Sequence, residues 1–248
     1  MTARISKRDT RAMRKPKDPE QTKADIIAAA TEEFAIRGLG GARLDAVARK
    51  TRTTRAMVYY YFRSKERLYL AVLENAYSGI RNAEQQLDLA RIAPVDSMCR
   101  LIAFTFDYYQ ANPHFVALVV AENQSGGKFI RKVRRMHRLN MPIIDAIADV
   151  LRLGALEGQF RKRIDPVAVH MMIAALGCFQ ITNRHTFGYL FDRDMTSPLY
   201  IQRMRGLVTE MVLRYLLAPA EAGGTLLNNG PNKSRPKTPL EGKLRSKA

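Results

Sequence analysis

A short basic and aromatic stretch at residues 52–60 carries side chains well suited to contact another molecule. Thr54 can accept a hydrogen bond from a free amide at a helix start, so we predict a helix beginning near Arg55. An arginine in that first turn can make two parallel hydrogen bonds to the acceptor pair on a guanine edge. Ala56 and Met57 beside it could contact thymine methyl groups. These residue types on one short helix indicate contact with the edges of DNA bases.

Cationic, hydroxyl and phenolic side chains surround this stretch and are suited to phosphate oxygens. Lys65 adjoins the start of the next predicted helix, whose free amides attract phosphate. The alternative is that the tyrosines pack together with Phe62 and that Arg52 and Arg55 are only solvated. The residues predicted to contact DNA are Arg43, Arg52, Thr53, Thr54, Arg55, Ala56, Met57, Tyr59, Tyr60, Tyr61 and Lys65.

Charge supports a polyanionic partner, because the 248 residues carry a formal net charge of +18. Plain solubility is the alternative. The two ends, residues 1–17 and 219–248, are basic and lack apolar periodicity, so both are predicted to be disordered. The N-terminal arm could lie in a minor groove or along phosphates, or it could be solvated. Its cations are Arg4, Lys7, Arg8, Arg11, Arg14, Lys15 and Lys17.

The residues between these ends show helical apolar spacing without strand patterns, so the chain is predicted to be all-α. A first helix should begin at Asp18-Pro19 and end at the glycines 38–41. A three-residue break at 51–53 separates two short helices, which is helix-turn-helix geometry. The later helices are expected at about 43–50, 54–60, 64–87, 94–111, 115–124, 128–156, 166–188 and 198–217.

Residues 26–68 resemble the TetR family of transcriptional regulators. The matching elements are Ile26-x-x-Ala29-Ala30-x-x-x-Phe34-x-x-x-Gly38, Leu44-Asp45-x-Val47-Ala48 and Val58-Tyr59-x-Tyr61-Phe62-x-Ser64-Lys65-Glu66-x-Leu68. The resemblance implies an N-terminal three-helix helix-turn-helix domain at 18–68. It also implies a C-terminal helical domain at 69–218 for effector binding and dimerisation.

The turn departs from the family pattern, because Thr51-Arg52-Thr53 stands where the family usually carries Ala-Gly-Val. That glycine supports a left-handed backbone conformation. An arginine in the same conformation is expected to cost about 1 kcal/mol. A strained or reshaped turn is therefore predicted, and Arg52 could add a phosphate contact.

Residues 69–218 show no spacing typical of catalysis or metal binding. The histidines at 114, 137, 170 and 185 form no triad or metal pattern, and neither do Cys99 and Cys178. We therefore predict no enzyme activity, no cofactor and no metal. No transmembrane segment or signal peptide is found, and two unpaired thiols suit a reducing compartment, so a cytoplasmic location is expected.

The resemblance implies a small-molecule effector, and the aromatic and methionine side chains of residues 69–218 would suit an apolar pocket. An ordinary core is the alternative. Glu122 and Asn123 follow an apolar run, where they could face a ligand or cap their helix. A basic stripe between Lys128 and Arg138 is interpreted as a solvated helix face rather than an anion site. The candidate pocket residues are Phe104, Tyr108, Val119, Glu122, Asn123, Met136, His137, Asn140, Met172, Phe179 and Asn183.

The resemblance also implies that the last two long helices form a dimer interface, with an intramolecular core as the alternative for their apolar stripe. The expected function is a TetR-like repressor: a homodimer on a pseudo-palindromic operator of double-stranded DNA, released by an effector of unknown identity. Two alternatives remain open at this point. One is a DNA-binding protein controlled without a small ligand, and the other is an enzyme on an all-α scaffold.

Overall fold

Ten α-helices make up residues 18–219, the part of the chain that the computed structural model describes, and the strand pairing found there is a single bridge between Phe160 and Leu217. The all-α prediction is confirmed. The predicted arm at 1–17 and all but the first residue of the predicted tail at 219–248 lie outside the described residues. The helices are α1 (Pro19–Gly41), α2 (Leu44–Lys50), α3 (Arg55–Phe62), α4 (Lys65–Gln85), α5 (Pro94–Ala111), α6 (Pro113–Gln124), α7 (Met136–Leu156), α8 (Pro166–Thr182), α9 (Arg184–Leu190) and α10 (Pro198–Leu216), with 3-10 turns at Leu89–Arg91 and Ile130–Lys132.

Capping side chains and prolines set many of the helix starts. Asp18, Thr54 and Ser64 each accept a hydrogen bond from an amide in the first turn of α1, α3 and α4, respectively. Pro113 is the first residue of α6, two residues before the predicted start, because proline suits a first turn that needs no N–H donor. Gly38, with φ of 62° and ψ of 175°, interrupts the regular geometry of α1 where the glycines predicted its end.

The first three helices pack around a core that continues into the rest of the molecule. Phe34 of α1, Val47 of α2 and Val58 of α3 are almost completely buried in it. The same cluster includes Leu118 of α6 and Met136 of α7. We call α1, α2 and α3 the head. The boundary predicted at 68/69 falls inside α4 and remains a prediction.

A second core lies between α5, α7, α8 and α10. It contains Leu101 and Ile102 of α5, Ile147 of α7, Ile173 of α8 and Val212 of α10. Each of these side chains is at most 2% exposed, as expected for helices that each present one apolar stripe.

The segment before α7 differs from the prediction. A continuous helix was expected over 128–156, but α7 begins at Met136 and a 3-10 turn occupies Ile130–Lys132. The interpretation of its basic residues as one solvated helix face is therefore wrong. Lys132 places its ammonium 2.5 Å from Glu66, and Arg135 forms an ion pair with Glu74, so two of these cations bind α4.

The helix predicted at 166–188 also differs, because it breaks at Asn183 into α8 and α9, which meet at a bend of 66°. The Asn183 amide donates a hydrogen bond to the Thr182 hydroxyl at 2.8 Å, a local side-chain bond that competes with helix continuation. Within residues 18–219, no single helix is long and apolar enough to cross a membrane. The bent pair α8 and α9 meets the length and composition criteria only when taken together.

The carboxylate of Glu122 joins three separate elements. It is 2% exposed and accepts a hydrogen bond from the Tyr69 hydroxyl of α4 at 3.2 Å. It also accepts bonds from the backbone N–H groups of Phe129 at 2.6 Å and Ile130 at 2.9 Å. Because these two amides donate to a side-chain carboxylate, they are not available to the carbonyls four residues earlier, which disfavours a continuous α-helix through this segment. Burial, followed by the neighbouring Glu122 charge, raises the pKa of the Tyr69 phenol.

Replacing Glu122 with alanine should lower the free energy of unfolding by about 3 kcal/mol, because the buried Tyr69 hydroxyl and two backbone donors would lose their acceptor. Asn123→Ala is the matched control, since Asn123 is exposed and bonds only within its own helix. That control should change stability by less than about 0.5 kcal/mol. Urea unfolding at one fixed protein concentration measures both. Equal losses in the two variants would refute the role given to Glu122.

Candidate DNA interface and effector region

α3 buries one face and exposes the other. Val58 and Phe62 are 1% and 6% exposed, whereas Met57, Tyr59 and Tyr60 are 38%, 38% and 64% exposed. Of the residues predicted to contact DNA, three are half-buried, namely Thr53, Tyr61 and Lys65. The exposed ones are Arg43, Arg52, Thr54, Arg55, Ala56, Met57, Tyr59 and Tyr60. The head therefore presents most of the predicted set to a partner.

The start of α3 is fixed by Thr54, as predicted. Its hydroxyl accepts a hydrogen bond from the Met57 amide at 3.2 Å, so the remaining first-turn amides stay free at the helix end. A helix N-terminus of this kind carries partial positive charge. In the head, this charge adds to that of the exposed Arg55 in the same turn.

Arg55 is held by residues of two helices. Its Nη1 atom lies 3.4 Å from the Asp45 carboxylate of α2, and its Nη2 atom lies 3.4 Å from the Tyr59 hydroxyl of α3. Its guanidinium carbon also sits 5.6 Å from the centroid of the Tyr59 ring. The hydrogen bond to Tyr59, followed by the Asp45 charge, raises the pKa of Arg55. The guanidinium is thus oriented while remaining exposed.

The turn between α2 and α3 has the conformation that the departure from the family pattern predicts. Arg52 has φ of 54°, in the left-handed region that glycine adopts without strain. Thr51 is buried, and its hydroxyl lies 3.0 Å from the Val47 carbonyl and 2.9 Å from the Thr53 hydroxyl. These hydroxyl bonds close the turn. They help to hold the Arg52 backbone in its strained conformation, while the Arg52 side chain remains exposed.

Some cations near α3 have other roles or were missed. The Lys65 ammonium donates to the Gly40 carbonyl at 3.0 Å, and so ties the start of α4 to the end of α1. Arg63, exposed and with φ of 64°, separates α3 from α4 but was not predicted as a candidate. Arg49, in the last turn of α2, is also exposed and was also missed. Both arginines lie within a few residues of the predicted reading helix, and this proximity in the sequence could have indicated them.

The residues predicted to form an effector pocket lie in several places. Phe104, Tyr108 and Val119 belong to one cluster, in which the Phe104 and Tyr108 rings are 5.7 Å apart. Glu122 bonds Tyr69, and Met136 packs in the core behind the head.

The remaining candidates are equally scattered. Met172 packs against the second core, and Phe179 packs edge-to-face against Phe187 at the surface. Asn123 and His137 are exposed, while the Asn140 and Asn183 amides bond to nearby groups of their own segments. None of the predicted pocket residues lines any of five cavities that residues 18–219 form. Residue type and spacing along one helix did not indicate which helices face one another.

A buried ion pair on α4 was not predicted. Arg81 and Glu84 are 5% and 4% exposed, and their closest atoms, Nη1 and Oε2, lie 2.9 Å apart. The pair lines a cavity of about 220 Å³. Tyr77, Ile80, Arg81 and Glu84 follow the i, i+3, i+4, i+7 spacing of one helix face, which was the available signal.

Exchanging Arg52 for asparagine should relieve the turn, because asparagine adopts the left-handed region more readily than other non-glycine residues. Arg52→Ala is the matched control, since it also removes the guanidinium but keeps the strain. We expect the asparagine variant to exceed the alanine variant by about 1 kcal/mol in free energy of unfolding, measured by urea titration. Equal stabilities would show that the turn stores no strain.

Comparison with known protein families agrees with this geometry. The family model described as bacterial regulatory proteins, tetR family, matches residues 26–72. The model described as tetracyclin repressor-like, C-terminal domain, matches residues 94–212.

Two similar proteins are named as transcriptional repressors. The HTH-type transcriptional repressor NicS of Pseudomonas putida is 30% identical over 197 residues, which cover 79% of this chain and 93% of NicS. The HTH-type transcriptional repressor SCO4008 of Streptomyces coelicolor is 36% identical over 113 residues, or 45% of this chain and 54% of that protein.

Solved structures share the fold. The ketosteroid transcriptional regulator KstR2 of Mycobacterium tuberculosis superposes with a TM-score of 0.60 at 19% identity, over 82% of this chain and 97% of its own. The transcriptional regulator FadR of Bacillus subtilis, in complex with stearoyl-CoA, gives 0.59 at 15% identity, over 77% and 98%. With its head, its oriented Arg55 and its two matching domain models, this chain belongs to the tetR family of bacterial regulatory proteins.

Proposed function

We propose that the protein is a ligand-responsive transcriptional repressor that binds operator DNA as a homodimer in the cytoplasm. The observation that carries the proposal is the exposed face of α3, on which Arg55 is oriented by Asp45 and Tyr59. Family membership supports regulation of transcription, and both named relatives of the preceding comparison are described as repressors.

In this proposal α3 enters the major groove. Arg55 bonds the O6 and N7 acceptors of a guanine, and Ala56 and Met57 contact thymine methyl groups. Around them, hydroxyl, phenol and cationic groups fix the register through phosphate oxygens. The phosphate-contacting set comprises Arg43, Arg52, Thr53, Thr54, Tyr59, Tyr60, Tyr61 and Lys65, to which the structure suggests adding Arg49 and Arg63.

Exposed apolar side chains on α10 and α8 support a homodimer. Val208 and Val212 of the predicted α10 stripe are buried in the second core, whereas Leu207, Met211 and Tyr215 are 45%, 50% and 42% exposed. The stripe thus serves the intramolecular core along one edge and leaves the other edge uncovered. Val167 and Met171 of α8 are exposed as well. α8 and α10 pack against each other, and several exposed apolar side chains on neighbouring helices are typical of a protein interface. A two-fold dimer would present two reading helices to a palindrome.

Two helices could transmit an effector's presence to the head. α4 is 21 residues long, or about 31 Å, and runs from Lys65 beside the head to the buried Arg81. α7 begins in the core behind the head at Met136, and its later residues form the opposite wall of the cavity beside Arg81. A ligand between α4 and α7 would favour one spacing of the two helices, and hence one separation of the two heads in the dimer.

Arg55→Ala should weaken binding to the operator by about 1–3 kcal/mol and relax the base preference at one position of each half-site, because it removes the two bonds to guanine. The matched control is Arg152→Ala, which removes an exposed arginine of α7 that is paired only locally with Asp149. The control should bind operator and unrelated DNA as the parent protein does. Fluorescence anisotropy with both DNAs at one salt concentration measures this. If the two variants bind the operator equally, α3 does not read bases through Arg55.

A further inference from the structure

The cavity beside the Arg81–Glu84 pair has one polar wall and one apolar wall. Arg81 and Glu84 of α4 form the polar wall, with Gln85 and Asp88 at its edge. The opposite wall consists of aliphatic side chains: Leu89 and Ala90 of the 3-10 turn, and Pro142, Ile143 and Ala146 of α7. The volume of about 220 Å³ corresponds to about seven water molecules of liquid. It suits a molecule the size of a substituted benzene ring.

The polar wall holds hydrogen-bonding atoms without partners. Nε and Nη1 of Arg81 and both carboxylate oxygens of Glu84 are buried and make no hydrogen bond. The 2.9 Å approach of Nη1 to Oε2 brings the charges together without the alignment that a hydrogen bond requires. Buried polar groups of native proteins are almost always satisfied, so orphaned donors and acceptors side by side in a cavity wall indicate a missing ligand.

The surroundings disfavour net charge of either sign. Burial raises the pKa of the Glu84 carboxyl to about 7, against the opposing effect of Arg81. Burial, followed by the Arg81 charge, lowers the pKa of His170 to about 4. An anion and a cation are thus both penalised in this region. A ligand that carries no charge avoids this desolvation cost.

We propose that this cavity binds a small uncharged molecule that presents a hydrogen-bond acceptor beside a donor, such as a carboxamide, on an apolar body. The acceptor lies against the Arg81 guanidinium, the donor against the Glu84 carboxylate, and the body against Ile143 and Ala146. This deepens the proposed function and rests on it, because the bound molecule would be the effector.

A larger cavity adjoins the first and gives it room to accept longer ligands. Its volume is about 520 Å³, and it shares Leu89, Ala90, Pro142 and Ala146 with the wall described above. The additional lining carries Asp145, Asp149 and Arg152, which are exposed. A substituent on the apolar body can therefore extend past Ala146 towards solvent.

The test uses four probes of similar size on the full chain: benzamide, benzoate, benzylamine and toluene. Benzamide carries the acceptor–donor pair without charge. Benzoate is an anion that lacks the donor, benzylamine is a cation that lacks the acceptor, and toluene is uncharged but lacks both. We expect benzamide to bind at least tenfold more tightly than each of the other three, by ligand-observed NMR titration at neutral pH. Benzoate or benzylamine binding as tightly as benzamide would overturn the proposed ligand class.

Two variants locate the binding. Ala146→Met fills the apolar wall and should weaken benzamide binding at least tenfold, whereas Ala148→Met, on the same helix but lining a different cavity, should leave it unchanged. The double variant Arg81→Met/Glu84→Leu removes both charges together, which avoids leaving one buried and unpaired. It should bind benzamide no better than toluene. If Ala146→Met and Ala148→Met change benzamide binding equally, benzamide binds elsewhere.

Operator binding is measured separately, so that the two proposals can fail independently. Loss of operator affinity on adding saturating benzamide supports the assignment as effector site. Benzamide binding that leaves operator affinity unchanged shows a ligand site without an effector role and refutes that assignment. If the protein binds its operator but does not bind benzamide, the cavity proposal is refuted and the proposed function as a repressor is not.

Discussion

The hydrogen bonds accepted by Glu122 hold together the joint between the head and the remaining helices. A carboxylate at the end of α6 satisfies Tyr69 of α4 and the amides of the turn that precedes α7. Tyr69 in turn packs edge-on against Phe34 of α1, with ring centroids 5.1 Å apart, and against Phe129 at 5.4 Å. These bonds offset the cost of burying the Glu122 carboxylate, so the placement of α4, α6 and the turn before α7 depends on this one side chain.

The same joint brings together α4 and the start of α7, both of which continue from the head into the rest of the molecule. Just before α7, Lys132 and Arg135 bind Glu66 and Glu74 of α4, and farther along α4 and α7 both line the cavity beside Arg81. The exposed ion pairs add little stability on their own, because solvent screens them. Packing of Met136 and Leu118 into the head's core supplies the rigidity of this joint.

The head was largely predictable from local patterns, whereas the cavity beside Arg81 was not. Thr54 and Ser64 indicate helix starts, because each accepts a short-range hydrogen bond from the first turn of its helix. The left-handed backbone conformation of Arg52 follows from the glycine that the family usually has at this position. A cavity depends on which helices face one another, and that depends on long-range bonds such as those of Glu122, 53 residues from Tyr69. Glu122 was noticed as a polar residue beside an apolar run, but its partner lay beyond any local pattern.

The contact between Arg55 and Asp45 has a consequence for discrimination between DNA sites. If Arg55 reads guanine, the Asp45 carboxylate is an internal competitor that occupies the guanidinium while the protein scans unrelated sequences. A lone phosphate offers little more than Asp45 already provides, whereas a guanine edge offers two aligned acceptors and repays the exchange. Leaving Asp45 therefore costs the same at every site, and a guanine edge repays that cost more fully than a phosphate does. On this view Arg55 stays with Asp45 on unrelated sequences and changes partner mainly where the matching guanine is present.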